Sequence, residues 1–503
     1  MLKNLTALSA AAVARPAPAY STNTYEGPFR YTIGIVGNPT IPDVQWSDEQ
    51  LSLIKAAGFN TLQLSIAWAS KPAGEVLNLE DLDNPKNVKE WHRRVDQARK
   101  FGFRTLAQFG LPKGPQRDAT TCILDPSVRQ DCATRLRHFF EDFPEVDDVM
   151  IYTYDQLAWL CSQFGDCPRC HGIPLSKRLP GFLELMVDAV QEGNRGVRLW
   201  WEPWELSAGQ TYAIVETIRP DHFGLIVHNT IAEVYFVNTT DHWVRNLARL
   251  ARRRGIPMIG EAFLSGSGED IAPLTHLACP RLVYEEADAL RKTEGIVGIK
   301  EYYGLLPQRH CPNLELFTAY LTALDTPFQD LIRPVAAFYG PASTEHILEA
   351  WELTAQAMEL FPWDGSWTLR GIFGRSEGQK WRAVPLASWI TPSWQANRRA
   401  FFMVTDERQP YPHVPEDYGM TPPWRNECEE RLFEHPWLLE DAGLRALAAG
   451  QRFDQAASLL NSAIHEASTG KQNLYAQKKD VIQAATASKY FGQQLLDSIH
   501  WSQ

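Results

Sequence analysis

The 503-residue chain is 44% hydrophobic and 22% charged, a composition that suits a folded globular protein and excludes disordered and collagen-like classes. Forty-nine basic against sixty acidic side chains give a net charge of −11; a phosphate footprint needs a basic face, so no nucleic-acid partner is expected. No run of about 18 uncharged apolar residues occurs, so no membrane-spanning helix is expected, and eight cysteines in this length are too dilute for a disulfide scaffold.

Residues 1–29 hold Lys3, an Ala-rich apolar stretch from Leu5 to Ala14, and Ala17-Pro18-Ala19. They read either as a weak secretory signal with an A-x-A cleavage site or as an N-terminal arm, which leaves a cytoplasmic or secreted location open. From Tyr31 onward, short runs rich in Val, Ile, Leu and aromatics alternate with stretches of helical period, the pattern of repeated βα units. Eight strands are predicted, at residues 31–37, 61–68, 104–111, 149–155, 196–201, 223–228, 257–263 and 296–302. Seven helices separate them, at 48–57, 88–101, 128–143, 182–192, 212–218, 242–254 and 280–292. Gly58, Gly102 and Gly255 each stand just past a predicted helix and just before a strand, where a C-terminal cap needs positive φ. Eight such units predict an α/β fold, a (β/α)8 TIM barrel over residues 30–325; a doubly wound sheet would want phosphate-binding glycines that Gly34, Gly37 and Asn38 do not supply.

Residues 326–503 form a mainly helical C-terminal region. Helices are predicted at 314–324, 346–360, 437–449, 453–467 and 474–496, and an irregular Trp-, Pro- and Arg-rich segment spans about 361–426.

In this architecture the chemistry sits where strands end. The fourth predicted strand ends in Asp155, the fifth in Trp201-Glu202-Pro203-Trp204-Glu205, the seventh in Gly260-Glu261, and the eighth in Lys300-Glu301-Tyr302-Tyr303; the sixth brings His228 and Asn229. A buried strand has no packing reason to end in a carboxylate, since burying an unpaired charge costs several kcal/mol as an order of magnitude. Bland roles stand beside the chemical ones. Asp155 fits a helix N-cap, Glu205 and Glu301 fit the acidic first turn of a helix, and His228 fits a satisfied core histidine.

Paired carboxylates on a rim lined by Trp and Tyr are what glycosidic cleavage requires: a protonated acid, an ionised partner, and flat apolar faces for sugar rings. Asp155, Glu202 and Glu261 are the candidate catalytic groups. Trp68, Trp201, Trp204 and Tyr302 are candidate sugar platforms, and His228, Asn229, Lys300 and Glu301 candidate polar contacts. Two assignments fit. Either Glu202 is the general acid and Asp155 its ionised partner, or Glu202 is the acid/base, Glu261 the nucleophile and Asp155 a hydroxyl-binding group. In both, a Trp-lined pocket keeps Glu202 protonated by desolvation.

The barrel order with Trp201-Glu202-Pro203-Trp204 and Gly260-Glu261 resembles the (β/α)8 glycoside hydrolases, whose large retaining clan carries Asn-Glu-Pro on strand four and a nucleophilic Glu on strand seven. Here Trp201 stands in place of the Asn, and Glu-Pro falls on the fifth predicted strand. The stretch from Asp155 to Glu202 and the helical C-terminal region also look like exo-acting barrels of the α-glucuronidase and hexosaminidase kind. The resemblance covers about residues 30–310 and implies a glycosidase that removes a terminal sugar from an oligo- or polysaccharide. Lys113, Arg117, Arg178 and Lys300 would suit an acidic sugar.

Two other classes compete. A metal-dependent barrel enzyme, of the sugar isomerase or amidohydrolase type, would use Asp155, Glu202, His228 and Glu261 as ligands; a non-catalytic carbohydrate-binding protein would keep the aromatic cleft alone. Cys161, Cys167, Cys170 and His171 have the donor types of a structural zinc site, with free thiols or a disulfide as the alternatives. No cofactor is required for catalysis in the glycosidase reading. The expected partner is a carbohydrate; homo-oligomerisation is left open.

Overall fold

The computed structural model describes residues 29–36, 46–64, 76–114, 120–153, 158, 160–161, 163, 166–203, 206, 208–228, 242–265, 277–302, 304–305, 310–362 and 436–499. Eight parallel strands close into a barrel in sequence order: β1 Tyr31–Ile35, β2 Thr61–Gln63, β3 Arg104–Gly110, β4 Asp148–Tyr152, β5 Arg198–Glu202, β6 Phe223–His228, β7 Met258–Ala262 and β8 Ile296–Glu301. The last strand pairs with the first, Tyr31 opposite Gly298. Around them run α1 Asp48–Ala56, α2 Pro85–Lys100, α3 Pro126–Asp142, α4 Leu175–Gly193, α5 Ala208–Thr217, α6 His242–Arg254, α7 Pro280–Lys292 and α8 Pro312–Thr322. The (β/α)8 expectation holds, strand by strand.

Local chemistry fixes where the helices begin and end. Ser47 caps α1 by accepting from Gln50 N, and Asn84 and Asp125 cap α2 and α3 ahead of a proline at the first helical position, where its missing N–H costs nothing. At the other end, Gly58, Gly102 and Gly255 sit at φ of 91°, 71° and 77°, left-handed geometry that ends a helix and lets the next strand start at once. The apolar stripe of each helix then packs on the barrel wall, with Trp91 of α2 stacked on Phe109 of β3 at 5.6 Å and edge-on to Phe139 of α3 at 6.2 Å.

Beyond the barrel lie α9 Phe328–Ala337, α10 Thr344–Leu360, α11 Pro436–Glu466 and α12 Lys471–Ile499. Helix α9 was not expected from the sequence, because Pro334 lies inside it and proline reads as a break. The two helices expected at 437–449 and 453–467 are one continuous helix, α11. Gly450 lies inside it as a contact point, since a Cβ there would stand 2.4 Å from Lys489 Cγ of α12. The hairpin docks on the preceding elements by side chains: Trp351 Nε1 donates to Gln477 Oε1 at 2.9 Å, and Gln477 Nε2 donates to the Tyr339 hydroxyl at 3.1 Å. No described helix is long and apolar enough to cross a membrane. The irregular segment expected at 361–426 lies outside the described residues after 362.

Candidate active site

Alternation along each strand decides which side chains face the barrel axis. Tyr31, Ile33, Leu106, Met150, Tyr152, Trp200, Ile226 and Ile259 form one apolar cluster inside the barrel, separate from the larger cluster between barrel and helices. Glu202 and Glu261 come two residues after Trp200 and Ile259, and Gln108 two after Leu106, so all three face inward. Lys300 comes two after Gly298, whose Cβ would lie 2.6 Å from Tyr31 Cβ. In a closed barrel with a shear of about 8, positions of equal height climb by about one residue per strand. Under the observed pairing this rule brings Gln108, Glu202 and Glu261 of the odd strands onto one layer at the C-terminal end, with Gln63 and Lys300 of the even strands one residue below them. All five are buried. An apolar floor is thus topped by a polar, charged layer.

Electrostatics within that layer are specific. Lys300 Nζ donates to Glu261 Oε1 between two fully buried side chains. An ammonium in contact holds a carboxylate ionised, and the pair answers much of the desolvation cost each charge would carry alone. Glu202 stands at the end of β5, its backbone in register with Tyr152 of β4. Gln108 Oε1 meets no hydrogen-bond partner among the described residues, so the layer offers an acceptor aimed inward. Gln63 and Gln108 were missed from the sequence. Their signal was present: a polar residue at period two within the otherwise apolar runs Leu62 to Leu64 and Ala107 to Phe109.

The other sequence candidates separate by strand phase. Trp201 faces outward, its Nε1 donating to Thr153 Oγ1 at 3.2 Å and its ring 6.3 Å from that of Phe223. It therefore braces the barrel–helix layer instead of lining the mouth as a sugar platform. Glu301 also leaves the interior: Oε2 accepts from Leu264 N at 2.7 Å and Oε1 from Gly304 N at 3.2 Å, so it ties the ends of β7 and β8 together. Tyr302 stands at the rim, its ring centroid 6.0 Å from Lys300 Nζ and 5.2 Å from the ring of Phe263. The backbone of His228 is in register with Glu261. Asp155, Trp68, Trp204 and Asn229 lie outside the described residues, as do Glu205, Tyr303 and Arg117. Lys113 and Arg178 are already engaged, the first 3.6 Å from Asp81 and the second donating to the backbone oxygens of Cys161 and Ile173 at 2.8 Å each.

Two of the cysteines of the loop after β4 do meet, and with a partner the sequence reading left out. Cys122, from the loop after β3, stands with its sulfur 3.3 Å from that of Cys170, and Cys122, Cys167 and Cys170 keep all three sulfurs within 4.8 Å. Exposed His171 and buried Cys161, both expected as ligands, are not in that group. Burial works against the Cys167 thiolate, but backbone N–H groups of Arg169 and Cys170 outweigh it and bring the thiol down to about 7, whereas burial pushes the Cys161 thiol up to about 11. Among the described residues no second group has metal-ligand geometry.

A closed parallel barrel with an apolar interior and a charged inner layer at its C-terminal end is the site architecture of (β/α)8 proteins. No family model matches the chain, and no curated protein matches it. Among solved structures it is similar to a GH138 enzyme targeting pectin rhamnogalacturonan II, with a TM-score of 0.58 and 10% identity over 95% of this chain and 60% of that one. It is also similar to an O-GlcNAc hydrolase of Thermobaculum terrenum, with a TM-score of 0.45 and 12% identity over 94% and 96% of the two chains. A GH5-4 endoglucanase from an uncultured bacterium matches with a TM-score of 0.34 and 17% identity over 51% of this chain and 77% of that one. The chain spans 60% of the length of the GH138 enzyme. The chain therefore shares its (β/α)8 fold with the GH138 enzyme.

Proposed function

We propose that the protein is a glycoside hydrolase in which Glu202 is the general acid/base and Glu261 the nucleophile. The observation that carries this reading is the inner C-terminal layer, where two glutamates of alternate strands share one buried level and Lys300, one residue below, contacts Glu261. Desolvation favours the neutral form of a carboxylic acid, which Glu202 needs in order to protonate the leaving glycosidic oxygen. The contact with Lys300 keeps Glu261 ionised, as attack on the anomeric carbon requires. Water then enters, Glu202 takes its proton, and the covalent sugar is released with its configuration retained. Gln108 in the same layer, and Gln63 just below it, supply hydrogen bonds to sugar hydroxyls.

The substrate proposed is a terminal sugar of an acidic polysaccharide. The support is the fold shared with a GH138 enzyme whose target is pectin rhamnogalacturonan II, a pectic and therefore acidic polymer. Asp155, in this reading, binds substrate hydroxyls. The test is a hydrolysis screen of pectic oligosaccharides and aryl glycosides, with the product anomer followed by NMR. A terminal sugar released with retained configuration, at a rate indifferent to chelator, is the expected result. Inversion would remove the nucleophile role of Glu261, and activity lost on chelation would favour a metal-dependent barrel enzyme instead.

A further inference from the structure

Away from the charged layer, three cysteine sulfurs from two different loops converge, and a fourth cysteine lies in one of these loops. Cys122 precedes α3, while Cys161, Cys167 and Cys170 lie between β4 and α4. We propose that Cys122, Cys161, Cys167 and Cys170 bind one structural zinc ion. The assignment replaces the histidine expected from the sequence: Cys122, not His171, joins the cluster.

Three observations carry it. The Cys122 and Cys170 sulfurs are 3.3 Å apart, well beyond the ~2.05 Å of a disulfide and close to the ~3.8 Å that zinc–sulfur bonds of ~2.3 Å impose on a tetrahedron's edge. The turn Cys167-Pro168-Arg169-Cys170 is shaped to present thiolates: Cys170 N and His171 N both donate to Cys167 O, at 3.1 and 2.9 Å, while the Arg169 and Cys170 N–H groups also serve the Cys167 sulfur. The sulfurs of Cys122, Cys167 and Cys170 already lie within 4.8 Å of one another; Cys161, whose thiol donates to Thr120 Oγ1 at 3.5 Å, stands outside that group and would turn in to complete the tetrahedron. An all-thiolate tetrahedron selects zinc or an iron–sulfur centre, and sulfurs within 4.8 Å of one another leave room for a single ion and not for a cluster. Its net charge of about −2 is faced by Arg178, which interacts with Cys170.

Such an ion would have no open coordination position and would not touch substrate. Its work would be mechanical. The two loops already meet through the parallel bridge of Thr121 with Leu160 and the hydrogen bond from Cys161 N to Thr121 O at 3.1 Å, and zinc would lock that junction beside the C-terminal end of β4. The loop so locked is the one that also carries Asp155. The inference does not depend on the glycosidase reading, because its readouts are metal and thiols.

The experiment is metal analysis of the purified full chain, thiol titration before and after chelation, and absorption of the cobalt(II)-exchanged protein. The expected result is about one zinc per chain, four thiols released only when zinc is removed, and the intense visible bands and thiolate charge transfer of tetrahedral cobalt. Cys122→Ser should lose the ion or bind it at least tenfold more weakly, while His171→Ala should keep it. The cobalt spectrum of the unaltered chain needs no variant to fold. Iron in place of zinc, a Cys122 to Cys170 disulfide in peptide mapping, freely titrating thiols with no metal, or zinc lost in His171→Ala would each overturn the assignment.

Discussion

Buried charge occurs at both ends of the barrel, and the two ends use it differently. At the N-terminal end, the Asp148 carboxylate of β4 accepts from Arg104 Nη2 at 2.8 Å, and the guanidinium of Arg104 lies 5.3 Å from the ring of Tyr31. Asp148 is only 3% exposed, but Arg104 reaches solvent with 40% of its side chain exposed, so the pair is anchored half in water. At the C-terminal end, Glu261 and Lys300 are both at 0%, and Glu202 and Gln108 share the layer of Glu261. The comparison teaches that a buried carboxylate does not by itself mark a site. What separates the two ends is whether the charged partner leads out to solvent or shares a closed layer with further polar groups facing inward.

The largest expected effect is at Lys300. Lys300→Met leaves Glu261 buried and without its cation, and should destabilise the fold by about 3–5 kcal/mol while abolishing hydrolysis. The double variant Lys300→Met/Glu261→Leu should recover most of that stability in urea unfolding and none of the activity. If Lys300→Met costs nothing, the two charges are not a buried pair.

A smaller effect is expected at the opposite end. Arg104→Ala should cost about 1–3 kcal/mol by removing a charge-assisted hydrogen bond, with the rate per folded molecule unchanged. Burial already pushes the Asp148 carboxyl above its ordinary range, with Arg104 pulling it down. Without the arginine the folded-state value rises further above the unfolded one. The native state then binds its proton over a wider interval, so the loss is smallest at acid pH and grows as pH rises through that interval. Stability measured across pH for both proteins reads the sign directly. Smallest is Glu301→Gln, which turns two hydrogen bonds to a carboxylate into bonds to an amide, one of whose ends cannot accept. It should cost about 1 kcal/mol and change the rate only modestly, since the side chain faces away from the inner layer.

Much of this was readable in the sequence because parallel strands buried on both faces are near-continuous apolar runs punctuated by turn residues. All eight strands fall within the predicted runs or one residue outside them, and β6 matches at both ends. The carboxylates of β5 and β7 were legible for the same reason, as charges interrupting those runs. The phase of the alternation was not. Trp201 and Glu202 are neighbours in the chain and point to opposite faces, and choosing between them requires knowing which face Trp200 takes; its ring settles over Gly224, where a Cβ would lie 2.4 Å from it. Cys122 was missed because the contact that reveals it joins two loops far apart in sequence, which no local spacing encodes.

The measurement that bears most directly on the charged layer is the hydrolysis rate of Glu202→Gln beside that of the unaltered protein, both checked for equal melting temperature. Loss of a positioned general acid predicts a fall of about 10²–10⁴-fold in kcat, with binding of the sugar retained. A Glu202→Gln protein that is fully folded and turns over substrate at the original rate would contradict the account.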